Sequence, residues 1–463
     1  MRLLKNHIKP KNLNKKIQTG YSLPEICLQP QPEWLRQIRC EAWQNYNDFS
    51  LPDRISHLWR YTDPQKFLYT PDRIALKSSK SVSTYLFKKI ISTLESDTYS
   101  GIVHTSSSGV GAIHLLPELV KAGVIIEPLM TAAENHPELV EQWLGTLVSG
   151  EFGKFEALNA AVWGNGVCIF VPKGVVIEKP VYVRLQSPAR RNEFIRVLLI
   201  AGEGSSIPVI EEYTGGAHYP GANFTNGVVE TYVENGAQLF HLMVYNMNKG
   251  AHLLVTHRSQ IQGKARQFTG VAFLGGHILK GNCVTNLYGN GSESELTGFL
   301  LGDERQHFDC YTAHNHSASH TLSTMKFKAA LKGHSRSVYV GRIVIENTAP
   351  FSEAYQENRN LLLSKQCRVD SIPVLEIHQD EVKCSHGSAS GPPDENQLFY
   401  LKSRGISDND AVRLLVEGFM EDAVARLPKV FQSAVRTYIA HRLQSRISGT
   451  VPPLTEKRRW NSG

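Results

Sequence analysis

Hydrophobic and polar residues alternate with a period of two over the middle half of the chain. From about residue 164 to Gly391 the sequence is rich in glycine, asparagine, threonine, serine, valine and isoleucine. Short alternating segments such as VCIFVP, FIRVLLIAGEG and LFHLMVYNM recur there between turn residues. Alternation of this kind is typical of β-strands. The pattern therefore predicts a long series of short strands with few helices among them.

The turns between these segments repeat at a nearly fixed interval. Alternation begins again after each of five glycines, Gly204, Gly236, Gly263, Gly291 and Gly333. These positions lie roughly 30 residues apart with one longer gap, a period that indicates a solenoid or a propeller. Propeller blades need about 40–50 residues and their own signatures, which are absent. The pattern favours a mainly β protein with a β-helix over residues 163–392.

Helical periodicity precedes the predicted β-helix. Residues 31–162 are expected to form an N-terminal helical domain. Its first helix lies in PEWLRQIRCEAWQNYNDF, and further helices are predicted over residues 136–147 and 155–161. Apolar residues of the first helix recur at helical spacing at Trp34, Leu35, Ile38, Ala42 and Trp43. Helical regions on both sides of a β-helix would cap its ends.

A second helical domain is predicted over residues 393–446. A short helix covers residues 395–404 with Gly405 as its stop, and Ser407 is a good N-cap for the next helix. The second helix has an apolar face formed by Ala411, Leu414, Leu415, Gly418 and Phe419. The third has one formed by Val430, Phe431, Val435, Ile439 and Leu443. The pattern leaves two interpretations open for these faces, core packing and docking of a partner protein.

Composition narrows the class of protein. With 463 residues, 41% hydrophobic and 20% charged, the chain is expected to be a soluble globular protein with two or three structural regions. No apolar run approaches the ~18 residues of a membrane span. The net charge of +7 is spread along the chain without a nucleic-acid-binding module. Residues 1–30 are predicted to be a flexible basic tail or an organelle-targeting remnant, and residues 447–463 a flexible tail.

The seven cysteines indicate a reducing compartment. They are odd in number and scattered, with no CxxC pair. This spacing argues against a disulfide framework and against a self-contained zinc or ferredoxin-type site. The chain also lacks a P-loop, a GxGxxG fingerprint, an HExxH helix and a GxSxG elbow.

Two groups of polar residues are weaker candidates. His307, His314, His316 and His320 could hold a transition metal, although hydrogen-bonded histidines of the strands are the commoner outcome. The adjacent pair Glu211-Glu212 could act in acid–base catalysis, although such a pair is more often a solvated edge.

The strongest candidate lies where the strand pattern gives way to helix. Cys384 and His386 are two residues apart in KCSHG, so their side chains share a face if the strand extends this far. A thiol and an imidazole suit a soft metal or sulfur chemistry. One such pair is half a site, so the other ligands are expected elsewhere in the fold or on another chain. Cys367, at the start of the final strand region, is a further candidate thiol.

Three stretches resemble the SufB/SufD family of iron–sulfur cluster assembly proteins. They are residues 153–183, residues 341–364 (GRIVIENTAPFSEAYQENRNLLLS), and KCSHGSASG with the DENQLFYLKSRGIS that follows. HLWRYTDP and KCSHG are most similar to the SufD branch, because SufB-like proteins carry a glutamate-bearing EHEA-type sequence at the latter. His386 falls at the position of that glutamate. Cys367 stands where SufB-like proteins have their cluster-assembly cysteine.

The resemblance implies a right-handed parallel β-helix flanked by helical regions, in a scaffold that catalyses no reaction alone. It implies a heterodimer with a SufB-like paralogue, and a SufC-like ABC-type ATPase that docks on the C-terminal helices and supplies the missing P-loop. The residues expected to contact the ATPase are Arg404, Leu414, Leu415 and Phe419. A nascent cluster or iron would be held transiently at the heterodimer interface, with His386, Cys384 and Cys367 as candidate ligands.

Two alternatives are kept. One is a SufB-type subunit that accepts sulfur on Cys367. The other is a carbohydrate-active β-helix enzyme, which needs a carboxylate-rich groove that the sequence does not indicate. The expected location is the cytoplasm, with the plastid stroma as the alternative.

Overall fold

The computed structural model describes residues 30–55, 58–68, 98–106, 109–220 and 223–444. The predicted tails, residues 1–30 and 447–463, lie outside this part of the chain apart from Pro30. The helices are α1 (Glu33–Asp48), α2 (Pro117–Lys121), α3 (Leu129–Asn135), α4 (Pro137–Trp143), α5 (Lys154–Val162), α6 (Glu395–Ser403), α7 (Asp408–Val424) and α8 (Lys429–Gln444), with a 3-10 helix at Pro64–Phe67. No helix in these ranges is long and apolar enough to cross a bilayer.

Short strands occupy the whole middle of the chain. They are β1 (Gly101–Ser106), β2 (Gly109–Leu115), β3 (Ile125–Pro128), β4 (Asn165–Val171), β5 (Val181–Ser187), β6 (Glu193–Ala201), β7 (Ser206–Gly215), β8 (Phe224–Val233), β9 (Gln238–Met247), β10 (His252–Ile261), β11 (Arg266–Phe273), β12 (Ile278–Leu287), β13 (Glu293–Gly302), β14 (His307–His316), β15 (Leu322–Leu331), β16 (Arg336–Ile345), β17 (Glu353–Leu362), β18 (Arg368–Ile377) and β19 (Lys383–Gly391).

Successive strands alternate between two facing sheets. The odd sheet contains the odd-numbered strands from β5 to β19 with β1 and β2, and the even sheet contains the even-numbered strands from β4 to β18 with β3. From β4 onward each strand pairs in parallel with the strand two places along the chain. The number of residues in a coil, counted between paired positions of successive coils, is smallest between His252 and Ile278 and among the largest between Ser206 and Gln238. The predicted β-helix is thus confirmed as a parallel solenoid of about eight turns.

The regular recurrence of glycine in the sequence is explained by a column of stacked turns, each with one residue in the left-handed conformation. Gly204, Gly236, Lys264, Gly291, His320 and Phe351 all have positive φ and each precedes an odd strand. The N–H of each donates to the turn of the following coil, as from Gly236 to the Gly263 carbonyl and from Gly291 to the Ser319 carbonyl. Gly333 instead precedes an even strand. The longer gap in the sequence therefore arises because the next two turns of the column contain His320 and Phe351 rather than glycine.

Apolar cores lie between the sheets and on both outer faces. The inner core contains alternate strand residues such as Val197, Leu239 and Phe273. Helices of the N-terminal region cover the even sheet, where Phe155 and Trp163 share a cluster with Phe194. Helices α7 and α8 cover the odd sheet, where Met420, Phe431 and Tyr438 pack with residues such as Phe268 and Phe299. The helical regions therefore cover faces of the solenoid in addition to any capping role.

The N-terminal region is less helical than its sequence predicts. Helices α1, α4 and α5 are confirmed, but β1 pairs in parallel with β5 and extends the odd sheet. Strand β3 pairs antiparallel with β4 and extends the even sheet. These short segments carry no clear alternation, and pairing with the first coil decides their conformation.

The HLWRYTDP segment fastens the N-terminal region to the even sheet. Trp59 packs against Phe155 with ring centroids 5.0 Å apart. The buried Lys280 ammonium donates to the Leu58 carbonyl, lies 4.9 Å from the Trp59 ring centroid and pairs with Asp309 at 3.0 Å. Thr62 donates to the same Asp309 carboxylate. These contacts make the segment a packing anchor; His57 lies outside the described residues.

We expect Asp309→Ala to lower the free energy of unfolding by about 3–5 kcal/mol, because it leaves the Lys280 ammonium buried without its carboxylate. The double variant Lys280→Met with Asp309→Leu should recover most of the loss, since it removes both charges. Urea unfolding followed by tryptophan fluorescence measures both. Equal losses in the single and double variants would show that the charge pair is not what stabilises this contact.

Candidate functional site

The solenoid ends at two strands with free edges. Within the described chain β18 pairs only with β16, and β19 only with β17. Neither strand has a buried residue, whereas every residue of β6 and β8 is buried. We call this surface, formed by β18 and β19, the open end. Both sequence-predicted site strands therefore lie at the C-terminal end of the two sheets, where the parallel ladder of backbone hydrogen bonds stops.

Cys384 and His386 lie side by side on the inner face of β19. Parallel register places Cys384 over the buried Ala354 and His386 over the buried Gln356. The side chain of Cys384 packs partly against the apolar cluster that contains Leu296 and Ile343. His386 is exposed. The strand does extend this far, so the predicted common face for the thiol and the imidazole is confirmed.

The Cys384 thiol is shifted toward its neutral form. Partial burial raises its pKa, and a hydrogen bond with the Ala354 backbone opposes that effect only in part. A thiolate is the form that binds metal or attacks sulfur. A nearby cation, such as a metal ion, would favour the Cys384 thiolate at neutral pH.

Cys367 lies at the other edge of the open end. Ser388 and Ser371 meet across the core with their Oγ atoms 3.0 Å apart. Cys384 precedes Ser388 by four residues and Cys367 precedes Ser371 by four, and the chain reverses between β18 and β19. At a rise of about 3.3 Å per residue the two thiols are about 26 Å apart. The structure thus brings Cys384 and His386 together but not Cys367, whose Sγ donates to the Ser364 carbonyl at 2.9 Å.

Cys384 and His386 are suitable ligands for iron, but two ligands do not complete an iron site. Sulfur and imidazole nitrogen are accepted ligands of iron in clusters. Among the described residues no group of three or more histidine, cysteine, aspartate or glutamate side chains could hold a metal ion. The chain offers two adjacent donors with open solvent beyond them, which fits a ligand set that another chain completes.

The other predicted candidates are structural. His314 and His316 are buried inside the solenoid, where His314 is 3.2 Å from Ser294 Oγ and His316 is 2.8 Å from Ser323 Oγ. Burial lowers the pKa of His314 to about 3 and that of His316 to about 4. Among the described residues no group of three or more ligating side chains could hold a metal ion, so the structure does not support a metal site at His307, His314, His316 and His320. Hydrogen bonds to serine hydroxyl groups account for His314 and His316.

Glu211 and Glu212 point to opposite faces of β7, since neighbouring strand residues alternate. Inside the solenoid Glu211 accepts from His241 at 2.8 Å. On the outer face Glu212 accepts from Tyr182 and from Asn246, and burial raises its pKa. The pair is neither a catalytic dyad nor a solvated edge.

Sequence reasoning missed a buried polar group near the middle of the core. His257 lies 3.2 Å from the Cys283 sulfur through Nδ1 and 3.0 Å from Thr231 through Nε2. Burial lowers the pKa of His257 well below its usual value and raises that of Cys283 to about 12. Both are therefore neutral. Period-two alternation places them on an inner face, but that signal does not separate polar inner residues from apolar ones.

The C-terminal helices present an apolar surface. Val416, Met420, Ala423 and Val424 form the buried face of α7 with Ala411, so the predicted face of Leu414, Leu415, Gly418 and Phe419 is wrong as a core stripe. Leu414 is exposed, and Leu415 and Phe419 are half-buried. The helix is apolar on more than one side, and the odd sheet selects the stripe that begins at Val416.

The short helix α6 adds to this surface. It has no buried residue, and Phe399 and Tyr400 are 74% and 57% exposed. The Arg404 guanidinium lies 5.2 Å from the Tyr400 ring centroid. As predicted, Ser407 caps α7, its Oγ accepting from the Asp410 N–H.

We expect alkylation of Cys384 in the isolated chain to be slow at pH 7, because its raised pKa leaves little thiolate. The alkylation rate should continue to increase at pH values where the rate of an unperturbed cysteine has already levelled off. Mass spectrometry after timed iodoacetamide treatment measures the rate. Cys168, Cys283 and Cys310 are buried and should stay unlabelled while the chain is folded. A Cys384 rate that levels off below pH 8 would contradict the raised pKa.

Comparison with known proteins supplies the family. The model of the SufBD protein N-terminal region matches residues 24–183, and that of the SUF system FeS cluster assembly SufBD core domain matches residues 183–419. The iron–sulfur cluster assembly protein SufD of Bacillus subtilis (strain 168) is 29% identical over 406 residues, covering 86% of this chain and 91% of the relative. An iron–sulfur cluster assembly SufBD family protein of Staphylococcus saprophyticus is 27% identical over 429 residues, covering 91% of each. The chain belongs to the SufBD family of the SUF iron–sulfur cluster assembly system.

Proposed function

We propose that this chain is the SufD-type scaffold subunit of a SUF complex. It pairs with a SufB-like chain at the open end and with a SufC-like ATPase at the C-terminal helices, and together they build and pass on nascent clusters. The observation that carries the proposal is the open end itself, where two free strand edges coincide with Cys384 and His386, the thiol and imidazole predicted as ligands.

Free edges favour a partner with strands of its own. An exposed strand edge can add a strand from another chain through backbone hydrogen bonds. The residues of β19 after His386 are glycine, serine and alanine, so another backbone can approach closely. A partner that continues both sheets would bury the edges and bring its own side chains next to His386. This arrangement explains why the ligand set of one chain is incomplete.

In this proposal His386 is a ligand of iron or of the nascent cluster, with Cys384 beside it. A neutral imidazole ligates iron, and a thiolate of the partner supplies sulfur coordination. A bound iron ion would also favour the Cys384 thiolate. The cluster is cargo, held only until it is transferred, and the chain itself catalyses no reaction.

The SufB-type alternative depends on Cys367. This thiol is half-buried in the turn before β18, at the same open end but about 26 Å along it from Cys384. Cys367 would serve a separate ligand group or a sulfur-accepting step. Persulfide on Cys367 after sulfur transfer, detected by mass spectrometry, would favour this alternative.

The ATPase is proposed to dock on the surface of α6 and α7. Phe399 and Tyr400 of α6 and Leu414 of α7 are exposed apolar residues on two helices that contact each other, and Leu415, Phe419 and Arg404 belong to the same part of the chain. Such a surface matches the apolar centre of a protein interface. No nucleic-acid or membrane partner is proposed, and the expected location is the cytoplasm or the plastid stroma. The carbohydrate-active alternative has no supporting carboxylate pair, since Glu211 and Glu212 face opposite ways.

We expect His386→Ala to abolish most cluster assembly in cells that lack their own SufD-type subunit, while a tagged chain still recovers both partners. The imidazole is exposed, so its loss should not unfold the chain. Activity of an iron–sulfur reporter enzyme measures assembly, and Ser385→Ala on the other face of β19 is the matched control. Assembly by His386→Ala equal to wild type would rule out the ligand role.

We expect Leu414→Glu to lose the ATPase from the recovered complex and to keep the paralogue, because a charge would enter the apolar docking surface. Asn409→Glu places the same charge on the far side of α7 and should retain the ATPase. Mass spectrometry of the purified complexes reads out both. ATPase recovery unchanged by Leu414→Glu would place the docking surface elsewhere.

A further inference from the structure

Strand β17 carries a row of three amide side chains directly below the open end. Gln356, Asn358 and Asn360 alternate along the inner face and are 4%, 1% and 5% exposed. All three lie in the 341–364 stretch. Parallel register places them below His386, Ser388 and Ser390 of β19. The last rung of the solenoid therefore rests on buried carboxamides where earlier rungs have Met325, Phe327 and Ala329.

Asn360 already forms a hydrogen bond with β19, the strand above the row. Asn360 Nδ2 donates to Ser390 Oγ at 3.0 Å, and also to Asn358 Oδ1 within the row. Gln356 Oε1 is buried and, like Asn360 Oδ1, has no hydrogen-bond partner among the described residues. A buried acceptor without a donor is costly and calls for an explanation.

The opposite strand is shaped to admit this amide. Gly341 of β16 lies across the core from Gln356, and a Cβ added there would come within 2.7 Å of the Gln356 Cδ atom. Gly341 does not have a left-handed φ, so the missing side chain makes room and does not relieve the backbone. The glycine that opens the 341–364 stretch and the glutamine within it thus form one packed unit.

The rung above supplies one suitable donor. His386 is in register with Gln356, and Pro373 is in register with Gly341 on the opposite strand. Proline has no N–H, so of these two residues only His386 can donate. Neighbouring parallel strands are about 4.8 Å apart, which is within reach of a glutamine side chain and an imidazole.

We propose that Gln356 is the positioning residue of His386. Its carboxamide oxygen accepts the N–H of one imidazole nitrogen, which fixes the tautomer and leaves the other nitrogen to bind iron. Metal-bound histidines commonly donate their second N–H to such an acceptor. The inference rests on the proposed ligand role of His386 and adds the residue that orients it. The orphaned oxygen is then a preformed acceptor that is satisfied when His386 turns toward its metal.

The test uses the full complex recovered with this chain, freed of iron and titrated anaerobically with cobalt(II) as a spectroscopic probe. Gln356→Met keeps the shape of the side chain and removes the acceptor. We expect cobalt(II) affinity to fall about 10–100-fold, with altered ligand-field bands. Thermal stability should be unchanged or higher, because the variant removes a buried unsatisfied oxygen. Gln356→Glu keeps an acceptor oxygen and should restore most of the affinity.

Two controls separate the possible failures. Asn358→Leu removes an amide from the same row below Ser388 and should leave cobalt(II) affinity unchanged. If His386→Ala itself binds cobalt(II) as wild type does, the ligand role fails and this inference fails with it. If His386→Ala binds weakly while Gln356→Met binds within about twofold of wild type, only the positioning role of Gln356 is overturned. Equal losses of stability and affinity in Gln356→Met and Asn358→Leu would also overturn it, since the row would then be purely structural.

Discussion

Each strand of the solenoid satisfies its backbone on the strand one coil before and the strand one coil after. This parallel ladder stacks the turns and forms the two facing sheets, with the inner core enclosed between them. It also creates a problem at its last rung, where β18 and β19 have no further strand to pair with. The helical regions cover the flat outer faces and leave this end open. In the proposed complex, a partner chain that completes the ladder would pair with this edge and would lie beside Cys384 and His386 at the same time.

The fold could be predicted from the sequence because it is repetitive. Period-two alternation and a regular return of glycine together specify strands and a coil length. The prediction lost the period where His320 and Phe351 adopt the left-handed conformation that Gly204, Gly236 and Gly291 adopt in the same column. Backbone hydrogen bonds with the neighbouring coils stabilise these residues in that conformation, and no local sequence pattern indicates such contacts. Strands β1 and β3 were missed for a related reason, since their conformation depends on pairing with residues far along the chain.

The candidate site was predictable only where local geometry was sufficient. The shared face of Cys384 and His386 follows from their spacing in one strand. The separation of Cys367 from them depends on the reversal between β18 and β19, which spacing alone does not give. Histidines 314 and 316 looked like a metal pair because alternation aims them the same way, yet it aims them into a core lined with hydroxyl groups. Packing against the odd sheet determines which face of α7 is buried. The position of Gln356 below His386 follows from the register of β17 with β19, which the sequence alone does not give.

Hydrogen exchange at the open end tests the central claim most directly. Backbone amides of β18 and β19 that point away from β16 and β17 should exchange rapidly in the isolated chain and slowly in the complex recovered from its own cells. Protection should appear in both strands, because a partner that continues the solenoid must pair with both sheets. If both strands exchange as fast in the complex as alone while another surface becomes protected, the open end is not where the second chain binds and His386 does not lie at a shared site.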